Sequence, residues 1–389
     1  MKNIINLIVS VVLFLFVLDL YIFGGGRVID FAGVTLRMIL FVAILAFAIA
    51  VTILKRKIHS LTLYVILLST LILVIGILIS TVTISGSPDN AVSVSAYFFV
   101  FLCLAFSCFP DRIFWFIDNG IRPSAVFLSM SYLIFLYAIY VGYISILDIY
   151  RYIPESEVFL RGESALVYKG FIFVLIGILH FLIVDSKYTL LKYIFLFFCI
   201  TAVLATLTRG FIVSLIFVTF IYFFFNVKSV LVKVLISIAV ILLPFVLYMF
   251  FSQELSRAGS DEVRLNDINM FVDYISSDVV RLFFGGGVSA FLGERAAIEN
   301  AYMDTILRFG LFGLFFVFFV FFLIWKKFNK IMLLTNPNVD KEKCKWLFYS
   351  VLLIYIQSNF NPYINNYIGG TFVVFVLLYF DFLLRERKL

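Results

Sequence analysis

Residues 60–80 read SLTLYVILLSTLILVIGILIS, twenty-one positions without a charged side chain. A helix of about 20 apolar residues crosses the roughly 30 Å hydrocarbon core of a bilayer, because it rises about 1.5 Å per residue. Runs of this kind return from one end of the chain to the other. They lie at 4–23, 34–54, 60–80, 92–109, 124–147, 166–185, 188–207, 210–226, 230–251, 301–325, 346–360 and 363–384, twelve in all. Composition agrees: 64% hydrophobic residues, 14% charged and 50 Phe in 389, with a mean hydropathy of +1.13, exclude a water-soluble domain. The expected fold is all-α, a polytopic integral membrane protein with about 12 transmembrane helices in a single membrane domain over 1–389. The run at 4–23 follows Lys2, is too long for a signal-peptide core and has no small-x-small cleavage site, so it reads as a retained helix.

Threading these runs through a bilayer sorts the basic residues by type. Basic residues of short loops stay on the cytoplasmic face. Both termini then fall inside, with Lys55-Arg56-Lys57, Arg112, Arg122, Lys187, Lys192, Lys228, Lys233, the six Lys from Lys326 to Lys345, and Arg385, Arg387 and Lys388. With Lys2 these make 19 of the 30 basic residues, 14 of them Lys. The other 11 are ten Arg and one Lys: Arg27, Arg37, Arg151, Arg161, Lys169, Arg209, Arg257, Arg264, Arg281, Arg295 and Arg308. Topology explains the inner set and gives no reason for arginine outside. Phosphate recognition does, since the guanidinium fork binds two phosphate oxygens at once and stays charged. The alternative is pairing with acids, and 252–300 holds Glu254, Asp261, Glu262, Asp267, Asp273, Asp278, Glu294 and Glu299 against four Arg.

Other chemistries find little material. The net charge of +7 and pI near 9.1 sit on the cytoplasmic lipid face, where anionic head groups account for them, so nucleic acid is set aside. Cys103, Cys108, Cys199 and Cys344 fall in helices or a cytoplasmic loop and read as packing residues. His59 and His180 are the only histidines and lie apart, which excludes a histidine metal cluster and a Ser-His pair. There is no Gly-x-x-x-x-Gly-Lys-Ser/Thr loop for a nucleotide. No cofactor and no metal are expected.

Two outer connections are long, 148–165 and 252–300, and length of that order usually carries function. Within the second, 262–284 (EVRLNDINMFVDYISSDVVRLFF) sets apolar residues at helical spacing between charges and predicts one or two amphipathic helices on the outer membrane surface. Gly285-Gly286-Gly287 then allows either a sharp turn or close approach of backbone to a ligand.

Three pieces follow one another along the chain. Thr206-Leu207-Thr208-Arg209-Gly210 puts an arginine between two helices at the outer surface, where its cost falls well below the about 2.5–3.5 kcal/mol of a bilayer centre. The glycine run comes second. Third, Glu299-Asn300-Ala301-Tyr302-Met303-Asp304-Thr305-Ile306-Leu307-Arg308-Phe309-Gly310-Leu311-Phe312-Gly313-Leu314 opens a helix. Helical spacing puts Glu299 and Tyr302 on one face and Asn300, Asp304 and Arg308 on another; the plainer reading is a helix cap with Glu favoured by the dipole.

This order resembles the O-antigen polymerase and ligase family, membrane enzymes that handle undecaprenyl-pyrophosphate-linked sugars at the periplasmic face. The likeness covers the whole layout of helices and late outer loop. It is sharpest in the Thr-Arg-Gly element, the glycine run, and the Asn-x-Tyr helix ending in Phe-Gly-Leu-x-Gly. Ligases of the family usually carry a histidine just before Asn-x-Tyr; here Glu299 stands there, which favours the polymerase branch. The resemblance implies a multi-pass protein of the bacterial inner membrane, with periplasmic loops at 148–165 and 252–300, that joins lipid-linked oligosaccharide repeat units without metal. Arg209, Arg264 and Arg281 are the implied stabilisers of pyrophosphate, followed by Arg257, Arg295 and Arg161; Glu299 is the implied base, with Asp304 second. Asn300, Tyr302, Gly286 and Gly287 are implied substrate contacts. Membrane lipids, a chain-length regulator and a flippase are the implied partners. The alternatives are a ligase acting on lipid A core and, in another class, a flippase or transporter, which would tolerate loss of Arg209 and Glu299 far better.

Overall fold

The computed structural model describes residues 2–24, 30–31, 34–55, 59–83, 103–151, 153, 157–161, 165–185, 188–235, 237–238, 258–293, 298–334 and 340–386. In chain order, α1 (Lys2–Ile22) is followed by a short antiparallel pair, β1 (Asp30–Phe31) and β2 (Val34–Thr35), then α2 (Leu36–Lys55), α3 (Ser60–Thr83), α4 (Pro110–Tyr140) and α5 (Ile146–Tyr150). A second hairpin, β3 (Val158–Arg161) with β4 (Ala165–Tyr168), leads into α6 (Ile172–Ile183), α7 (Thr189–Ala205) and α8 (Arg209–Asn226). The remaining elements are α9 (Ala258–Ser276), α10 (Val279–Phe284), α11 (Ala301–Leu333), α12 (Lys341–Gln357) and α13 (Tyr367–Glu386). Six of these are long and apolar enough to cross a membrane, namely α2, α3, α4, α8, α11 and α13. Leaving the two small hairpins aside, the architecture is an all-α membrane bundle.

The long helices run up and down between two ends. At one end Arg112 of α4 donates to Asn6 of α1, Lys343 of α12 pairs with Asp118 of α4, Lys327 of α11 with Asp381 of α13, and Arg385 meets His59. At the other, Tyr132 of α4 donates to the carbonyls of Leu166 and Ala205, and Tyr168 to that of Ile22. Lysines assigned to the inside therefore gather at the first end, and α8, α11 and α13 begin at the second. Helix α13 lies at the centre: 83% of its apolar window is buried, against 22–28% for the other five, because α4, α11 and α12 pack around it.

Several expectations are corrected. The connection carrying Arg112 and Arg122 is instead the first half of α4, a 31-residue helix entered through Pro110. Its charges persist within a helix because Asp118 accepts from His180 Nε2 at 3.1 Å and Lys343 Nζ at 2.7 Å, while Arg122 donates to His180 Nδ1 at 2.9 Å. The run at 166–185 gives up its start to β4, and 148–165 holds a helical turn and most of a hairpin. The runs at 92–109 and 230–251 lie largely outside the described residues; 103–107 and 230–235 are helical. The amphipathic stretch forms α9 and α10, two helices as the spacing allowed. All four cysteines are free, and three of them are buried.

Candidate functional site

The Thr-Arg-Gly element folds as a strained turn from α7 into α8. Leu207 has φ +49, the left-handed region that a γ-branched residue enters only at a cost of about 1–2 kcal/mol. Two buried threonines hold it there: Thr206 Oγ1 donates to Val203 O at 2.7 Å and accepts from Thr208 N at 3.3 Å, and Thr208 Oγ1 donates to Thr206 O at 3.2 Å. Arg209 is the first residue of α8 and half-buried. Such strain persists only where its surroundings enforce it, and it gathers at functional sites.

Directly beside Arg209, Gly210 packs against Phe360; a Cβ on Gly210 would lie 2.7 Å from the Phe360 Cβ. Phe360 belongs to an elbow, 358–366, between α12 and α13, which the sequence reading reduced to a two-residue gap between apolar runs. The elbow reaches three neighbours. Ala301 N donates to Ser358 O at 2.9 Å, and Asn365 Nδ2 donates to Ala301 O at 2.8 Å and Asp304 Oδ2 at 3.2 Å, which fixes the start of α11. Tyr363 donates to Lys169 O at 3.1 Å. Just past it, the Tyr367 ring lies under the Arg37 guanidinium at 5.0 Å, while Arg37 is itself bound to Asp19. Its composition was the available signal, with four Asn in 359–366 in so apolar a chain.

Helix α11 is capped as its spacing suggested, with Asn300 Oδ1 accepting from Tyr302 N at 2.9 Å and Met303 N at 3.1 Å. Glu299 therefore precedes the helix and shares no helical face with Tyr302. The Tyr302 hydroxyl donates to Tyr355 O at 2.7 Å in the seam with α12, and its ring stacks on Phe318. Asp304 and Arg308 form a buried pair at 3.0 Å, and Arg308 Nη1 donates to Val288 O at 2.5 Å.

The helix then breaks at Gly310, with φ 62 and ψ −161. A break there leaves the carbonyls of the preceding turn without their i+4 donors. Gly286 N donates to Leu307 O at 2.8 Å and Gly287 N to Arg308 O at 3.1 Å. The crossing is backbone on backbone, since a Cβ on Gly310 would meet the Phe283 carbonyl carbon at 2.2 Å. The close approach foreseen for the glycine run is thus to the chain's own broken helix. Val288 N and Ser289 N are likewise used, on Gly76 O and Ser80 Oγ of α3.

Helices α9 and α10 form a cap on α11. Phe271, Ala290, Leu292, Ile298 and Leu307 make a small apolar cluster beneath α9. Above it, Arg264 donates to Glu299 Oε2 through Nε at 3.2 Å and Nη2 at 2.8 Å, an exposed pair that leaves Glu299 Oε1 without a hydrogen bond among the described residues. Arg281 is exposed and lies 5.2 Å from the Tyr274 ring; burial raises the Tyr274 hydroxyl pKa, with Arg281 opposing. Among the sequence-derived residues, the structure joins Arg264 to Glu299, sets Asn300 and Asp304 around the first turns of α11, and brings Arg209 to the elbow beside them. Arg281, Gly286 and Gly287 lie on the cap side. Arg161 is in β3, and Arg257 and Arg295 lie outside the described residues.

An O-antigen polymerase of Shigella flexneri is 28% identical to the chain over 311 residues, which cover 76% of each protein. The chain resembles an O-antigen polymerase. No family model matches it. The resemblance reaches well beyond any local motif, and it agrees with the multi-pass helical bundle and with a polar surface at the end where α8, α11 and α13 begin.

Proposed function

We propose that the protein is an O-antigen polymerase of the bacterial inner membrane, joining undecaprenyl-pyrophosphate-linked oligosaccharides at the periplasmic face by glycosyl transfer. The observation that carries this reading is the likeness over 311 residues to a protein of that name; the gathering of Arg209, the elbow and the capped start of α11 at one end supports it. Both termini are assigned to the cytoplasm, which makes the lysine-rich end the inner one.

In the proposed reaction a hydroxyl of the incoming repeat unit attacks the anomeric carbon at the reducing end of the growing chain. The new C–O bond forms as the bond to the pyrophosphate oxygen breaks, and a single displacement inverts that centre. Glu299 Oε1 takes the hydroxyl proton. Arg209, Arg264 and Arg281 stabilise the charge developing on undecaprenyl pyrophosphate, with Arg161, Arg257 and Arg295 supporting. Asn300, with its cap bonds made through Oδ1, offers its amide nitrogen to sugar. Asp304, as the second choice of base, must first leave its pair with Arg308. No metal or nucleotide enters the scheme; a chain-length regulator and a flippase are the proposed partners.

The test is to incubate the purified protein with its host's lipid-linked repeat units, without metal or nucleotide, and resolve the products as a glycan ladder. Arg209→Ala should cut ladder formation by about 100-fold or more, the scale of losing one preorganised donor to a developing anion. Transfer to added lipid A core in place of a ladder would make the protein a ligase, and neither product from intact substrate would overturn the reading.

A further inference from the structure

The elbow between α12 and α13 has a chemistry unlike the rest of its end of the molecule. From Gln357 to Tyr367 the chain reads QSNFNPYINNY, with no charged residue. Its amides are only partly used. Asn365 is committed to α11, and Asn366 Oδ1 accepts from Ile368 N and Gly369 N to start α13. Asn359 Nδ2 donates to Ile356 O at 3.0 Å. Among the described residues that leaves Asn359 Oδ1, Asn366 Nδ2 and the whole Asn361 side chain without hydrogen bonds, and below them the Gln357 amide nitrogen is buried with no partner. Asn359 is exposed, and Phe360, Asn361 and Tyr367 are half-buried.

Caps and turns explain Asn365 and Asn366 but give Asn361 no task. Neutral amides that both donate and accept, set beside partly open aromatic rings, fit sugar hydroxyls and the apolar faces of sugar rings, whereas an anion would call for fixed cations. Position agrees with chemistry, because Phe360 touches the residue following Arg209, while Ser358 and Asn365 hold the residues following Glu299.

We propose that the elbow is a saccharide subsite in which Asn359, Asn361 and Asn366 bind hydroxyls of a repeat-unit sugar and Phe360 underlies its ring. The proposal rests on the polymerase reading and gives that site its neutral, sugar-reading half beside the arginines. It has two independent readouts. In the first, Asn361→Ala should raise the repeat-unit KM about 5- to 10-fold with little change in kcat, the effect of losing an uncharged hydrogen bond or two. In the second, oligosaccharide released from the lipid-linked repeat unit by mild acid should show saturation-transfer NMR signals with the wild-type protein that weaken with Asn361→Ala. Should Asn361→Ala lower the melting temperature, Asn359→Ala at the exposed position takes its place. A wild-type ladder with an unchanged KM in both variants overturns the subsite and leaves the polymerase reading standing. No ladder, but oligosaccharide binding that the variants weaken, overturns the polymerase reading and keeps the subsite. Absence of any wild-type oligosaccharide binding counts against the subsite whatever the ladder does.

Discussion

The first two turns of α11 divide the candidate site into sides built on different principles. On one side lies the elbow, rooted in the buried α12 and α13 and held by backbone carbonyls, asparagine caps and the Asp304–Arg308 pair. On the other lies the α9–α10 cap, resting on a five-residue apolar cluster, with Val263, Leu265, Ile268 and Val272 exposed along α9 and Arg264 and Arg281 at its surface. One side is fixed by desolvated polar contacts that cannot be lost cheaply; the other carries more charge on less packing. The proposed transfer on a lipid-linked chain would use both: a rigid floor to register the sugar, and cations on a less packed element for the charged product. Removing a buried polar contact on the elbow side should therefore cost stability, whereas removing an exposed charge on the cap side should leave the fold almost unmoved.

The largest stability effect is expected at Arg308. Removing it leaves Asp304 buried without its cation and Val288 O without its donor, a loss of about 3–5 kcal/mol for Arg308→Ala by the measure of broken buried pairs. Replacing both partners, as in Asp304→Leu with Arg308→Met, should recover much of it, because no buried charge is then uncompensated. Thermal unfolding in detergent decides this, and a single variant losing less than about 1 kcal/mol would mean the divider is not the rigid element described.

Next in size is Gly310→Ala. Its φ of 62 with ψ −161 is a conformation kept almost wholly for glycine, worth about 1–3 kcal/mol of strain to any other residue. The added methyl would also strike the Phe283 carbonyl. Hydrogen exchange should localise the damage: amides of 279–287 lose protection while those of α12 and α13 keep theirs. Uniform loss of protection would show that cap and elbow unfold together, which would erase the contrast between them.

How legible these sides were in the sequence differs in the same way. Long apolar runs such as 60–80 make α2, α3, α8, α11 and α13 legible, because the bilayer leaves a helix as the only local solution. The start of α4 was hidden because Arg112, Asp118 and Arg122 interrupt the run, and only the tertiary partners His180 and Lys343 make those charges tolerable inside a helix. The cap was legible from its amphipathic spacing, and Asn300 from its place ahead of an apolar run. The elbow was not: apolar residues at 360 and 363–364 made two runs appear to meet, and its amides acquire meaning only when Asn365 is seen to reach across 61 positions to Asp304. Arg264 and Glu299, 35 residues apart, were each singled out, yet their pairing is set by the cluster beneath α9, which periodicity alone does not place.

That pair gives the smallest expected effect on stability and the cleanest separation of structure from chemistry. Arg264 and Glu299 have side chains 37% and 52% exposed, so their contact is screened by water and worth about 0.2–1 kcal/mol. Arg264→Ala should thus leave the melting curve almost unmoved. Arg264→Ala should still slow ladder formation and Glu299→Gln should slow it more; with Arg264 acting on the pyrophosphate as proposed, the two losses should multiply in the double variant. A double variant no slower than Glu299→Gln alone would instead make Arg264 the residue that aims Glu299, since an aiming residue then has nothing left to aim. Arg281, which among the described residues meets the Tyr274 ring and the Ser277 hydroxyl and no carboxylate, is the internal control: its loss should multiply with that of Glu299 under either outcome.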